Sequence, residues 1–330
     1  MTASSYRYRL FGLRIASEWE IASLHPVAET FSSPPDVEIE QGEVRLPKDL
    51  DLIDGIEVGV LGASCFLSIA ECGAFEVRSG SKVIIDPDPG VTADQISLYL
   101  LGSVFGLLLH QRGLLPFHCN AVELDGAAYL FCGESGAGKS TLAAHFVERG
   151  FNLLSDDVCA LHFEADGQLM ASAGVPRLKL WRDTLGLFDR RADGLRLVPW
   201  YDDKFEVPLQ DSSAAEPAPV VGIYHLRVAG DGREPGIYPL RGLGAANAVT
   251  ANIYRRRLGD LVGATRAYLA TAARIVREVP VFSMNRVWDL ARFKADAATV
   301  ELHMRQLSGG GGMGEWIPDG PRGWRDPAKA

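Results

Sequence analysis

The chain has few cysteines and nothing that pairs them. Cys65, Cys72, Cys119, Cys132 and Cys159 are odd in number and scattered, without C-x-x-C spacing, which argues against a disulfide framework and a zinc site. A positive charge balance is missing too. The 33 Lys and Arg stand against 42 Asp and Glu, for a formal net charge of −9. That disfavours a nucleic-acid surface, because phosphate backbones need clustered cations. The one dense basic run, Arg255–Arg257, is too short to reverse the sign, yet a local cationic pocket for a few phosphates stays compatible with it. No long hydrophobic run is present: the most apolar stretch, Ile96–Leu109, falls short of the roughly 20 residues that cross a bilayer. The first residues lack the basic-then-apolar pattern of an export signal. No membrane and a cytoplasmic location are therefore expected. There is no internal repeat.

What remains is an ordinary globular composition, 47% apolar and 23% charged over 330 residues, enough for one large or two modest domains. Residues 1–90 read as a β-rich N-terminal domain. Its short segments are Tyr6–Ile15, Val37–Arg45, Ile56–Val60, Cys65–Ala70, Phe75–Arg78 and Lys82–Ile85, separated by Gly and Pro. After the break at Asp86–Gly90, Thr92 and Gln95 form a capping box. The helix they open is apolar from Ile96 to Leu109 and closes at Gly113, so it is expected buried between two domains. Residues 91–307 continue as α/β, with a strand at Ala128–Cys132, a glycine loop, and a helix at Ser140–Arg149 ended by Gly150. Strands follow at Phe151–Leu154, Val158–Phe163 and Val220–Val228, then a helix-rich stretch at Ala245–Arg277. Residues 308–330, rich in Gly and Pro, read as a flexible tail. The expected fold class is α/β, a mixed sheet flanked by helices with a smaller β-rich N-terminal domain.

Gly133-Glu-Ser-Gly-Ala-Gly-Lys-Ser140 fits G-x-x-x-x-G-K-[ST] at every position. Glycines there let backbone N–H groups converge on phosphates, and the helix that follows adds its positive end. Gly133, Glu134, Ser135, Gly136, Ala137, Gly138, Lys139, Ser140 and Thr141 are the candidate nucleotide-binding residues. Lys139 would reach the β- and γ-phosphates and the Ser140 hydroxyl would ligate Mg²⁺, so ATP and magnesium are the expected cofactors. Seventeen residues after Lys139 come Asp156 and Asp157. A right-handed strand–helix–strand crossover would return the chain beside the first strand in parallel, bringing both carboxylates to the loop. One can then hold the metal while the other accepts a hydroxyl proton.

An upstream His118, this loop, Gly150 and the Asp156-Asp157 pair together resemble the HPr serine kinase/phosphorylase family over roughly residues 115–165. The resemblance implies a P-loop kinase domain of the HPr kinase type that phosphorylates a serine hydroxyl on a protein. Asp156 would be the base, Asp157 would serve the metal with Ser140, and His118 would sit near the transferred phosphate. The wider order of elements is similar to a divergent branch with "PRLKLW" and an acid–Lys element, here Asp203-Lys204. Some of that branch act on precursor peptides of ribosomally made lasso peptides. A peptide or small-protein serine is therefore the expected acceptor, and the hexamers of the family make a homo-oligomer an expectation as well. One signature departs. The acid-Ile-Arg-Gly-Leu-Gly string of the bifunctional enzymes is absent after the Asp pair, where only Asp183 in Leu180–Phe188 supplies an acid. Arg241-Gly-Leu-Gly244 lies about 85 residues beyond the pair and is read as coincidence.

Arg177, Lys179 and Lys204 are candidate clamps on the γ-phosphate. Leu307-Ser-Gly-Gly-Gly311 resembles the ABC ATPase signature but lacks the strand and acid pair that should follow, and is set aside. Three other readings stay open: an HPr-directed kinase, a small-molecule kinase, and a nucleotide-gated binding protein without transfer activity.

Overall fold

The computed structural model describes residues 6–28, 31–209, 216–230, 233–287, 289 and 291–308. Nearly all of the tail expected at 308–330 lies outside the described residues, as does most of Leu307–Gly311. Two compact units are present, Met1–Trp288 and Asp289–Ala330. Among the described residues the strands form sheets of eight, nine and three.

The first sheet holds β1 (Tyr6–Leu10), β2 (Leu13–Ser17), β3 (Val37–Gln41), β4 (Asp51–Ile53), β5 (Ile56–Leu61), β6 (Ser64–Ile69), β7 (Gly73–Arg78) and β8 (Lys82–Pro87). Their order is β1-β2-β3-β8-β7-β6-β5-β4. The segment expected as one strand at Tyr6–Ile15 is instead a hairpin. Leu10 faces Leu13, and Phe11 (φ 55) and Gly12 (φ 75) make the two-residue turn between them, whose positive φ angles match the twist of the flanking strands. A bulky residue at positive φ is a costly exception. Here burial offsets it: Phe11 packs 6.1 Å from the Phe105 ring, and its N–H donates to the Ala173 carbonyl.

Alternating apolar residues such as Ile15, Val37, Ile39, Phe75, Val77, Val83 and Ile85 face one core, each contributing about 1.5–3 kcal/mol of burial. The helix beginning at the Thr92–Gln95 box closes over that core. Gln95 N donates to Thr92 Oγ1 at 3.3 Å and Thr92 N donates to Gln95 Oε1 at 2.9 Å. The helix is not one regular α-helix, as expected from its pattern. It runs as α1 (Ala93–Tyr99), a π-helical turn (Leu100–Val104) and α2 (Phe105–Gln111). The wide turn and the start of α2 lie against Tyr254: a Cβ on Gly102 would meet its hydroxyl at 3.2 Å, and one on Gly106 its ring at 3.0 Å. By length and composition the run Ala93–Gln111 is long and apolar enough to cross a membrane, but 67% of its apolar window is buried inside the fold, and that burial accounts for its composition. At its end His110 Nε2–H donates to the Tyr254 carbonyl (2.9 Å), while Nδ1 accepts from the Tyr268 hydroxyl (2.7 Å).

The second sheet takes β9 (Leu115–Phe117), β10 (Cys119–Leu124), β11 (Ala127–Gly133), β12 (Asn152–Ser155), β13 (Cys159–Phe163), β14 (Leu169–Ser172), β18 (Ala218–Val228), β19 (Gly236–Leu240) and β20 (Val281–Arg286). Helix α3 (Lys139–Glu148) follows the glycine loop, and α5 (Gly242–Ala251), α6 (Arg256–Leu261) and α7 (Thr265–Glu278) lie between β19 and β20. β11, β18 and β20 are parallel, flanked by antiparallel neighbours. The α/β class with a mixed sheet and flanking helices is as expected. The crossover is not. β12 does not lie beside β11, because β10 fills that place: the chain runs β12-β10-β11-β18. Asp125 (φ 51) and Gly126 (φ 80) fold β10 tightly onto β11, a two-residue turn of the kind that favours immediate pairing. The α3 crossover therefore passes over β10 before β12 pairs with β10's far edge.

The third sheet is β15 (Arg177–Trp181), β17 (Lys204–Pro208) and β16 (Arg196–Leu197), with α4 (Arg182–Leu187) after β15. Leu178 and Leu180 of β15 are buried, so strand alternation places Arg177, Lys179 and Trp181 on the other face. Opposite them stand Pro208, Glu206 and Lys204. One small sheet thus carries a polar face. In the second unit the described element is α8 (Phe293–Ser308), an amphipathic helix with Phe293, Ala297, Val300 and Met304 along one stripe.

Candidate functional site

The glycine loop springs from the C-terminal end of β11 and enters α3 through Gly136 (φ 81) and Gly138 (φ 80). Only glycine adopts such angles freely. Lys139 is 7% exposed, and its Nζ donates to the carbonyls of Gly133 (2.8 Å) and Glu134 (3.1 Å). Burial lowers its pKa, with Asp157 opposing that shift. The loop's first residue is pinned from outside, Gly133 N donating to Asn252 Oδ1 at 2.9 Å.

The Asp pair ends β12 and lies at this loop. Asp156 is 5% exposed; its Oδ1 accepts from Asn120 Nδ2 at 2.5 Å and from Ser140 Oγ at 3.5 Å, and its Oδ2 accepts from Lys179 N at 3.0 Å. Burial raises its pKa, and the neighbouring Asp157 charge adds to the rise. Asp157 adopts φ 73, an angle Asp tolerates better than most residues. It accepts from Lys179 Nζ at 2.9 Å, with His118 Nδ1 3.9 Å from its Oδ1. Burial works against its charge, yet Lys179 and His118 hold its pKa well below the carboxylate range. His118 Nδ1–H donates to the Asp157 carbonyl at 2.9 Å. Burial lowers the His118 pKa and the Asp157 charge raises it. Loop, Ser140, His118 and both acids thus converge, although β12 reached them by another route.

On the other side of the acids opens a cleft of about 370 Å³, walled by the π-helical turn at Leu101–Ser103, by Tyr254 and Arg255, and by Trp200, Tyr201 and Lys204. Phe11, Asp157, Trp200 and Arg255 all line it and all hold positive φ. Unfavourable backbone and a π turn gathered at one cleft mark a place held by more than local preference.

The structure divides the three candidate clamps. Lys179 lies in the site on Asp157. Lys204 Nζ stands 5.6 Å and 5.1 Å from the ring centroids of Trp181 and Tyr201, at the cleft wall. Arg177 is 4% exposed and turned to Glu206, Nε to Oε1 3.2 Å. Glu206 also binds Arg196 and accepts from Ser23 Oγ at 2.8 Å, and Arg196 reaches Asp94 at 2.6 Å. Asp203 pairs with Arg182 at 2.6 Å. Arg255 is not in a helix but precedes α6 in left-handed backbone. Arg241–Gly244 opens α5.

Sequence reasoning missed Asn120, Asn252, Tyr254 and Arg286. None belongs to a spaced motif. The one available signal was polar residues ending buried strands, such as Asn285-Arg286 after Val281–Met284.

Fold and loop place the chain among α/β proteins with a glycine-rich anion-loop pattern. Comparison with known proteins narrows this. No family model matches the chain. It is 30% identical over 132 residues to an HPr kinase/phosphorylase of Pelodictyon phaeoclathratiforme, covering 39% of this chain and 35% of that protein. A protein of the same name from Chlorobium phaeobacteroides is 31% identical over 85 residues (25% and 26%), and one from Clostridium botulinum 35% over 78 (24% and 23%). The matched part thus spans about a third or less of those relatives. The HPr(Ser) kinase/phosphatase structure from Coxiella burnetii aligns over 59% of this chain and 93% of its own at 16% identity, with a TM-score of 0.34, a likeness too loose to bear on function. All three of these sequence relatives bear the name HPr kinase/phosphorylase.

Proposed function

We propose that the chain is an ATP- and magnesium-dependent kinase of the HPr serine kinase type, transferring the γ-phosphate to a serine hydroxyl of a peptide or small protein. One observation carries this reading: two carboxylates stand between the glycine loop, where Asp156 is 3.5 Å from Ser140, and a cleft able to admit a hydroxyl. The loop amides and Lys139 bind and orient the triphosphate. Ser140 and the Asp pair offer hard oxygen donors that suit Mg²⁺ shared with phosphates. Magnesium, when bound, neutralises charge on the transferring group. A carboxylate facing the cleft takes the serine proton as its oxygen attacks, and Lys179 stabilises the charge gathering beside it. His118 orients Asp157 through its backbone carbonyl.

The resemblance gives Asp156 the base role and Asp157 the metal. The closeness of Asp156 to Ser140 and the 40% exposure of the Asp157 side chain beside the cleft favour the reverse division, whereas the raised pKa of Asp156 and the lowered pKa of Asp157 favour the first. Asp156→Asn and Asp157→Asn separate the two. Loss of the base lowers transfer about 10²–10⁴-fold at an unchanged magnesium requirement, whereas loss of the metal ligand raises the magnesium concentration needed. If both variants keep full transfer, the kinase reading is wrong and a nucleotide-gated binder replaces it.

For the acceptor we propose a precursor peptide of the lasso type, on the order of elements described above, with HPr itself as second reading because the relatives bear that name. Mass spectrometry of each acceptor after incubation with the chain and Mg-ATP decides between them. Phosphate appearing only on free small molecules would redirect the assignment to a small-molecule kinase.

A further inference from the structure

Arg286 ends β20, and no part of the loop motif predicts it. β20 is parallel to β18, and β18 to β11. The registers set Gly133 beside Leu226, Leu226 beside Met284 and Val228 beside Arg286. The C-terminal ends of all three strands therefore open on the edge from which the glycine loop departs. Arg286 is 7% exposed. Its Nη2 donates to the Ala137 carbonyl inside the loop, and the guanidinium covers Gly138 so closely that a Cβ there would collide with it.

The placement is electrostatically unusual. Gly138 is the N-cap of the ten-residue α3, whose N-terminal end is itself positive. Lys139 lies one residue on. Two cations and a helix N-terminus gathered at one loop suit the oxygens of an anion, and a guanidinium presents two parallel donors that match phosphate. We propose that Arg286 is a phosphate-binding residue for the β- and γ-phosphates of the nucleotide, acting with Lys139 from the opposite side of the loop. This rests on the nucleotide-binding part of the reading above, and adds that the last strand of the sheet supplies the second cation. On binding, the Arg286 donor now on the Ala137 carbonyl passes to a phosphate oxygen. No bond is made or broken.

Calorimetric titration of the full chain with Mg-ATP, Mg-ADP and AMP tests it. Arg286→Ala should weaken Mg-ATP binding at least about tenfold, or about 1.4 kcal/mol, weaken Mg-ADP less, and leave AMP nearly unchanged. Arg286→Lys should recover part of the loss, because charge without the fork is retained. Thermal melts of both variants show whether they are folded, and should the alanine variant not fold, the lysine variant carries the test through the same ratio of affinities. A folded variant that binds Mg-ATP as the wild type does, or that loses Mg-ATP and AMP affinity equally, overturns the proposal. Lys139→Ala separates the two levels. If it leaves Mg-ATP affinity unchanged, the loop reading itself falls. If it abolishes binding while the Arg286 variants bind normally, only the Arg286 assignment falls.

Discussion

Arg177 and Lys179 stand two residues apart on the same face of β15, and they live in different surroundings. Arg177 points toward Glu206, which already holds Arg196 and Ser23. Lys179 points toward Asp157, and its own N–H also holds Asp156. One end of the strand is a closed charge network tying β15 and β17 to the Ser23 loop and to Asp94 of α1. The other end gathers Lys179 and both acids, and Arg177 and Lys179 both line the cleft beside them. Cationic identity and strand position are the same for both, so the two differ in their counter-charges: Arg177 shares Glu206 with Arg196, whereas Lys179 lies against the Asp pair.

The largest expected effect breaks the closed end. Arg177→Ala leaves the buried Glu206 carboxylate with only Arg196 and Ser23 and should lower stability by about 1.5–3 kcal/mol, read from urea unfolding, while Mg-ATP affinity of the folded fraction stays unchanged. Loss of transfer at normal stability would place Arg177 with Lys179 and dissolve the contrast. Lys179→Ala should do the opposite, lowering transfer about 10²-fold or more with stability kept within about 1 kcal/mol. A steady-state assay beside the unfolding curve checks both.

Two histidines extend the contrast. His118 touches Asp157, whose charge counters the effect of burial; His110 sits between the Tyr254 carbonyl and the Tyr268 hydroxyl, and burial takes its pKa to about 4. Its folded value lies below its ordinary one, so the unfolded chain takes the proton first. Stability is retained above the ordinary value near 6.5 and falls as pH drops toward 4. Between pH 6.5 and 5 the loss from His110 should be about 2 kcal/mol. His225, lowered likewise to about 4, has the same sign, so the difference between wild type and His110→Gln isolates His110. A pH-independent difference would mean that this ring is not held neutral. The smallest effect belongs to Lys204→Ala. Removing its contacts with Trp181 and Tyr201 should cost about 0.5–1 kcal/mol of stability, read from the same unfolding curves, leaving Mg-ATP affinity as it was.

The loop, the capping box and the α/β order were legible because each depends on residues close in sequence. The Asp pair was expected at the loop by a simple crossover, and the structure brings it there past an intervening strand. That strand was overlooked because Asp125-Gly126 fixes a hairpin through backbone angles rather than side-chain pattern. Phe11-Gly12 hid the first hairpin in the same way. Asn120, Asn252 and Arg286 were illegible for a different reason. Asn120 and Arg286 take their places through pairing registers between segments distant in the chain, and Asn252 through a helix end brought to the loop, and no local spacing encodes either.

The π-helical turn at Leu100–Val104 has a mechanical consequence. A single residue advances an α-helix by about 100°, so the widened turn sets the phase of everything N-terminal to it against everything C-terminal. Deleting one residue there would straighten the helix and swing the Thr92 cap and Asp94 around its axis. Asp94 would then leave Arg196. The segment behaves as a fixed gear between a sheet that starts the chain and the wall of a cleft that completes it, and its tooth count is part of the specification.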